Sequence, residues 1–509
     1  MIPLDCRGVL LARRFFLKLV ALLGVLLFLG SPRMASAASS EGGDDGLHLT
    51  PSEKQHLDRL LKQPAFDSAT LGVSVRDCLG ERDIYARGAE KLLNPASNLK
   101  LLTTAVALED LGPAYTFKTE FLSVSPIKDG RIEGHLYIRG HGDPQLVYEA
   151  IWKIAVDLRA RGLREIEGSL IGDDGFFDRE ERIPAWGDKR KEESIRAYNA
   201  PLGALSANFN AVAILVGPGE TPGRPARVAL ETPTAYVRVD NQATTAPPGR
   251  GGRLSIVRKK TSSGVSFVVK GAVNVGAPSK VYYRTVPDPL SYALTLFREM
   301  FERVGIHVRG GGARGRVPED AVVLYAHESQ PLDILLRYMN KLSNNFIAEQ
   351  LLKTLGAERY GTPGSTEKGI RALRAYLHRH ALGWNQSRIF NGSGLSSRTG
   401  VSAAQLTRLL CAIDASEQNR FDIISMLPIA GVDGTLRHRM KDKRVLGRIR
   451  AKTGTLGGVY AISGYLQSPR RSVVAFSFMI NDIRTSLSES QKAIEQWMAA
   501  LSEVIDAHE

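Results

Sequence analysis

Three short clusters of polar residues in this chain are of the types that could together cut an amide bond. Ser97 and Lys100 fall three residues apart in Ser97-Asn98-Leu99-Lys100, Ser343-Asn344-Asn345 follows far downstream, and Lys452-Thr453-Gly454-Thr455 closes the set. Residues three apart on a helix share a face, so the Lys100 amine can stand beside the Ser97 hydroxyl. A serine is a weak nucleophile until a base removes its proton, and a lysine is a base only when burial or a second cation lowers its pKa. Lys452 is the candidate second cation. Ser343 is suited to relay the proton towards a departing amine, and Asn345 to hold a substrate amide. Lys452 to Gly454 reads as a strand whose backbone can pair with an extended peptide, while Lys452 and the hydroxyls of Thr453 and Thr455 attract a terminal carboxylate. The backbone N–H groups of Ser97 and Thr455 would then make an oxyanion hole. The chemistry implied is acyl transfer through a serine ester, with no cofactor.

Similar short strings elsewhere do not sit on suitable elements. Ser125 to Lys128 runs through Pro126 into Asp129-Gly130, which is a turn, and Ser365 to Lys368 reads as an N-cap and the first turn of a helix. Ser206 to Asn208 repeats the second pattern, and Arg398-Thr399-Gly400 imitates the third from within a polar loop.

The elements that must position the three clusters are legible in outline. Leu57, Leu60 and Leu61 recur at helical spacing within Pro51 to Phe66. Thr70 to Cys78 and Asp83 to Ala86 read as strands with Gly80 in the turn between them. Asn94-Pro95-Ala96-Ser97 opens an apolar helix, Asn98 to Leu111, closed by Gly112-Pro113. At the far end Arg448 to Lys452, Ala461 to Leu466 and Val473 to Ile480 are strand-like. Ser490 to Ile505 follows as a helix whose stripe of Ile494, Trp497, Met498, Leu501, Val504 and Ile505 is read as packing on a sheet. From Pro331 long amphipathic helices return, Pro331 to Leu355 and Thr366 to Arg379. Between the two ends, Thr116 to about Tyr325 has a different texture: alternating runs at His135 to Ile138, Tyr236 to Val239 and Ser266 to Val269, turns rich in glycine and proline, and a loop at Thr245 to Gly252. This predicts one discontinuous domain with β-rich material inserted, and the length of 509 residues suits more than one domain.

The N-terminus reads as a signal peptide over residues 1–37: basic Arg7, Arg13, Arg14 and Lys18, an apolar run Leu19 to Leu29, then Ala35-Ser36-Ala37. The run is too short for the alternative, a membrane anchor. Arg13-Arg14-Phe15-Phe16-Leu17-Lys18 resembles a twin-arginine export signal with Ala12 in place of the usual Ser or Thr, and the Sec route stays open beside it. The chain is therefore read as exported to the periplasm or cell envelope. Its formal charge of +14 becomes about +10 without the first 37 residues. Scattered basic residues without interleaved aromatics argue against nucleic acid and for an anionic envelope polymer, with peripheral contact with the envelope. Cys6 leaves with the signal peptide. Cys78 and Cys411 are 333 residues apart and read equally as a disulfide or as two buried thiols. No zinc spacing or redox Cys-x-x-Cys is present.

Taken together, the motifs resemble the class C low-molecular-mass penicillin-binding proteins, the D-alanyl-D-alanine carboxypeptidase and endopeptidase family. The separation of 246 positions from Ser97 to Ser343 exceeds the interval in β-lactamases and leaves room for inserted domains. Further matches are Gly142-Asp143-Pro144, Tyr198-Asn199-Ala200-Pro201, Asn391-Gly392-Ser393-Gly394-Leu395-Ser396 and Gly431-Val432-Asp433-Gly434-Thr435, read first as turns. One departure is Asn199, where similar proteins carry a small residue. The resemblance implies an α/β fold: a transpeptidase or β-lactamase-like antiparallel sheet with helices at 38–116 and 322–509, inserted domain II at 117–205 and 286–321, and inserted domain III at 206–285. It implies peptidoglycan stem peptides as substrates and β-lactam antibiotics as acylating inhibitors. It also implies that Asp188, in Pro184-Ala185-Trp186-Gly187-Asp188, faces the free amine of the substrate's diamino acid; a solvated turn acid among Lys189, Arg190 and Lys191 is the other reading. The alternatives are a β-lactamase, for which no Glu-x-x-x-Asn stretch follows Ser343, and a non-catalytic wall-binding protein, against which the intact Ser97, Lys100 and Lys452 speak.

Overall fold

The computed structural model describes residues 47–184, 193–262, 264–468 and 473–508. The predicted signal peptide, residues 1–37, and Asp188 lie outside the described residues. Among those described, no helix is long and apolar enough to cross a membrane.

The two ends of the chain build one sheet. Its five strands are all antiparallel, in the order Ile449–Leu456, Val459–Gln467, Val473–Asn481, Thr70–Asp77, Arg82–Arg87. Strands alternate faces, so the sheet has two different sides. Ile462, Phe476, Phe478 and Ile480 pack with Val73, Val75 and Trp497 under the terminal helix Leu487–Ala507. The predicted stripe on that helix is buried, apart from a half-buried Val504. On the other side Ala461, Tyr465, Ala475 and Met479 meet a large helical core. Between these apolar residues runs a cross-strand row of Lys452, Ser463, Ser477 and Ser74. Ser463 Oγ is 2.9 Å from Ser477 Oγ, and Ser74 Oγ is 2.8 Å from Thr407 Oγ1. Small hydroxyl side chains that satisfy one another let helices approach this face closely without leaving buried polar atoms unpaired.

The helix at the centre is Lys100–Leu111, preceded by a 3-10 turn, Ala96–Leu99. It is buried from Lys100 through Leu108, as an apolar helix must be when protein surrounds it. The predicted run Pro331 to Leu355 is two helices instead of one, Leu332–Leu342 and Asn345–Tyr360. The break lies at Ser343, which takes the left-handed conformation (φ 58°, ψ 39°), and the Asn344 side chain then caps the second helix by accepting from Ile347 N at 3.1 Å. Helical spacing of apolar residues on both sides hides a break that capping chemistry at Asn344 creates. Cys78, just beyond Thr70–Asp77, and Cys411, on the helix Ala403–Asp414, form a disulfide.

The middle of the chain holds a second five-stranded sheet, ordered Gly312–Arg314, Leu170–Asp173, Leu136–Gly140, Lys118–Ser123, Val322–Glu328, with both parallel and antiparallel pairs. Two three-stranded sheets follow it: Val237–Ala246 with Gly264–Asn274 and Ser255–Thr261, and Lys280–Thr285 with Ala211–Gly217 and Arg227–Leu230. The region is β-rich as expected, but it also contains two helices not anticipated there, Tyr148–Ala160 and Pro289–Arg303. They form because Ile151, Ile154, Ala155 and Leu158 repeat at helical spacing, and because Asp288 caps the second helix at Ser291 N.

Candidate active site

Ser97, Ser343, Asn345, Thr453 and Thr455 line one cleft of about 450 Å³, together with Tyr198, Leu395, Thr435, Leu456 and Gly457. Three segments far apart in sequence thus converge. A larger groove of about 900 Å³ runs past Thr295 and Arg298 in the middle region and holds none of the three motifs.

Ser97 occupies the 3-10 turn leading into the buried helix, so its hydroxyl faces the cleft while Lys100, one turn on, is fully buried beneath it. Lys100 Nζ lies 3.1 Å from Ser97 Oγ, 2.7 Å from Asn345 Oδ1 and 2.7 Å from the Ser393 carbonyl. Burial pulls the Lys100 pKa down to about 7, against the opposing charge of Glu349. A neutral amine has two N–H groups and one lone pair. The two carbonyl oxygens cannot donate, so they take the N–H groups and the lone pair is left for the Ser97 hydroxyl. Asn345 Nδ2 donates to the Tyr198 carbonyl at 3.1 Å, so its amide joins the Lys100 cluster to a residue of the middle region.

Lys452 is also fully buried, and its Nζ donates to Ser343 Oγ at 2.8 Å and to the Thr453 carbonyl at 2.7 Å. Burial pushes its pKa well below the usual lysine value, and the neighbouring Lys100 pushes it further. Gly454 shows why the edge strand carries no side chain there: a Cβ would sit 2.7 Å from Ser97 N and 2.8 Å from the Pro95 carbonyl oxygen. The strand therefore passes directly against the Ser97 N–H, with Thr455 the next residue along it. Asn98, whose amide lies 2.8 Å from Ser463 Oγ, ties the serine turn to the sheet.

Two of the glycine-rich pieces read as turns prove to be walls of this site. Asn391 to Leu395 runs under the serine turn; Gly394 has φ 77°, and a Cβ there would lie 1.8 Å from the Ala96 carbonyl oxygen, so only glycine fits. Thr435, held by the Thr453 hydroxyl at 2.7 Å, closes the other end, and its loop is anchored by Lys341 to Asp433 at 2.6 Å. Asn199 lies in a short turn, where its side chain donates to the Ser194 carbonyl at 3.1 Å. Glu349, Ser393 and Tyr198 were not singled out as site residues in the sequence. Tyr198 and Ser393 did leave a trace there, inside two of the further matches read first as turns, whereas Glu349 left none.

A nucleophile at the start of a buried helix, a second lysine on the edge strand, and the antiparallel sheet between two helical layers define the class: a serine-type hydrolase of the penicillin-binding kind. The chain belongs to the D-Ala-D-Ala carboxypeptidase 3 (S13) family, which it matches over residues 53–502. It is 34% identical to a D-alanyl-D-alanine carboxypeptidase of Actinomadura sp. (strain R39) over 477 residues, covering 91% of this chain and 85% of that one. To the D-alanyl-D-alanine carboxypeptidase DacB of Haemophilus influenzae it is 27% identical, covering 78% and 82%. The crystal structure of penicillin binding protein 4 (dacB) from Haemophilus influenzae superposes with a TM-score of 0.78 at 25% identity, covering 88% of this chain and 99% of that one. The chain is a serine-type D-Ala-D-Ala carboxypeptidase that acts on peptidoglycan.

Proposed function

We propose that Ser97 attacks the penultimate D-Ala carbonyl of a stem peptide to form an ester, with Lys100 as the base. The observation that carries this reading is the Lys100 geometry, in which two carbonyl acceptors turn a buried, partly neutral amine's lone pair towards Ser97 Oγ. Lys452 receives the substrate's terminal carboxylate, assisted by Thr453 and Thr455. That carboxylate restores the Lys452 charge, and a charged Lys452 in turn disfavours a proton on Lys100. The Ser97 and Thr455 N–H groups hold the developing oxyanion. The proton on Lys100 passes through Ser343, hydrogen-bonded to Lys452, to the leaving D-Ala amine, and water then cleaves the ester. Asn345 positions Lys100, and its remaining N–H meets the substrate amide.

Cross-links present a similar D-centre amide, so DD-endopeptidase activity belongs to the same reading. A penicillin's strained amide enters the same route and its bulky product blocks water. The expected test is intact-mass spectrometry after incubation with penicillin: one adduct on Ser97, absent in Ser97→Ala. An adduct that persists in this variant would overturn the assignment.

For the rest of the chain we propose the division set out above: a catalytic domain at 38–116 and 322–509, domain II at 117–205 and 286–321, and domain III at 206–285. Val322–Glu328 pairs with Lys118–Ser123 in the middle sheet, so the chain returns to the catalytic domain at the end of this strand, a little after the boundary set at 322. Export behind the 1–37 signal places the enzyme in the periplasm or envelope, and the Cys78–Cys411 disulfide suits an oxidising compartment. Asp188 remains our candidate reader of the diamino-acid amine. The described residues flanking it support this, since the Pro184 carbonyl accepts from Asn391 and Tyr198 lines the cleft. Asp188→Ala should lower turnover of peptides with a free diamino-acid amine and spare acetylated ones; equal effects on both would refute it.

A further inference from the structure

We propose that Glu349 is a positioning residue for acylation: its buried carboxylate clamps the loop at Gly392 and Ser393 so that the Ser393 carbonyl meets Lys100 and aims the amine at Ser97. This rests on the reading of Lys100 as the base.

Glu349 has no exposed surface. A buried carboxylate is tolerated only when its oxygens are partnered. Here Oε1 accepts from Ser393 N at 2.8 Å and Oε2 from Gly392 N at 3.1 Å, and the Ser393 hydroxyl bonds the same group. Both oxygens are thus directed at one short stretch of backbone. The Thr103 hydroxyl donates to the Gly392 carbonyl at 2.8 Å, and Gly394 N donates to Asn391 Oδ1 at 3.0 Å, so the loop is fixed from both sides. Residues four apart share a helix face. Asn345 and Glu349 therefore come from one face of the helix Asn345–Tyr360, the first touching Lys100 directly and the second through the Ser393 carbonyl. One rigid element sets both acceptors that orient the base.

Burial raises the Glu349 pKa, while the hydrogen bonds from Ser393 and Gly392 and the Lys100 charge draw it back down, so the same placement sets a carboxylate against the Lys100 ammonium. Among the described residues, the charges that act on Lys100 and its neighbours are Glu349 and Lys452, and Lys353 follows one turn beyond Glu349 on the same helix. Lys353 is already engaged, donating to Asp178 Oδ1 at 2.6 Å and to the Glu180 carbonyl. Lys100 disfavours a proton on Lys452, whereas Glu349 favours the proton on Lys100. Removing its charge makes the Lys100 ammonium less favourable, and the pH at which Lys100 becomes a free base falls.

Two variants separate these effects. Glu349→Gln keeps the size but presents an NH₂ to one of the two backbone N–H groups, so one clamp is lost along with the charge. Its acylation by a fluorescent penicillin should slow by about 10²-fold, the usual effect of a small misplacement of a catalytic group, and the acid limb of the rate against pH should move to lower pH. Glu349→Asp keeps the charge with a shorter reach, so its rate should fall while the limb stays where the wild-type limb lies. A purely structural Glu349 would slow Glu349→Gln without moving the limb. That outcome overturns the proposal, as does a wild-type rate in either variant. Lys100→Arg is measured alongside: if it still acylates at the wild-type rate, the Lys100 reading itself has failed. If it is dead while Glu349→Gln behaves as wild type, only the role of Glu349 has.

Discussion

Lys452 and Ser463 stand directly opposite each other in the sheet, and the Ser463 hydroxyl lies 2.8 Å from the amide of Asn98, the residue after Ser97. The edge strand and the serine turn are therefore held in register by one buried hydroxyl. The two lysines, which come from opposite ends of the chain, are buried behind one cleft lined by their different partners: Ser97 for Lys100 and Ser343 for Lys452.

Different partners imply different tolerance to substitution. Lys100→Arg should lose acylation by about 10²-fold or more, the usual contribution of a general base, because arginine keeps its proton. Lys452→Arg retains a cation for the substrate carboxylate and should act mainly by raising KM. Rates of penicillin labelling, with KM for a D-Ala-D-Ala peptide, check this; equal losses in both variants would contradict the division of labour.

Acylation should depend on pH in a defined direction. Below about 7, the value to which burial brings Lys100, the amine holds its proton and cannot accept one from Ser97. The acylation rate should therefore climb as pH rises through neutrality. A rate of penicillin labelling that is flat between pH 5 and pH 8 would show that Lys100 does not titrate in the step.

The first and third motifs were legible because each sits on an element with its own local signal, proline before a helix and a strand-like run, while the second was found by its residue types and its order along the chain. The break at Ser343 was obscured by apolar spacing that continues from Leu335 and Leu336 to Leu351 and Leu352, although Ser343-Asn344 is cap chemistry. The helices Tyr148–Ala160 and Pro289–Arg303 were masked by the alternating runs around them, not by lack of period. Glu349 could not be read at all as a site residue. Its partners are backbone amides 43 and 44 residues away, and a backbone amide leaves no mark in a sequence. The Cys78–Cys411 pairing was left open for the same reason, since only the packing of the helix Ala403–Asp414 on the sheet brings the two together.

That disulfide gives a stability prediction separable from catalysis. Neither cysteine lines the cleft, and the bond closes a loop of 333 residues. Cys78→Ser with Cys411→Ser should cost about 2–5 kcal/mol, read as a lower midpoint in denaturant, with acylation retained under conditions where the protein remains folded. An unchanged midpoint would mean that the bond adds nothing to the native state.

Gly454 is the sharpest test of how closely the edge strand must approach Ser97. An alanine there would place its Cβ 2.7 Å from Ser97 N, 2.8 Å from the Pro95 carbonyl oxygen and 2.9 Å from the Ala96 Cβ. Two of these are backbone atoms of the turn that carries the nucleophile, and neither can rotate away. The strand or the turn has to shift, which for an overpacked site costs about 1–3 kcal/mol. The shift also separates the Ser97 N–H from Thr455, the two groups assigned to the oxyanion. Since a displacement of about 1 Å can cost some 10²-fold in rate, Gly454→Ala should remain folded but acylate far more slowly, with the loss in the acylation rate constant and not in the initial affinity for penicillin. A folded variant that acylates at the wild-type rate would show that this contact does not set the oxyanion geometry.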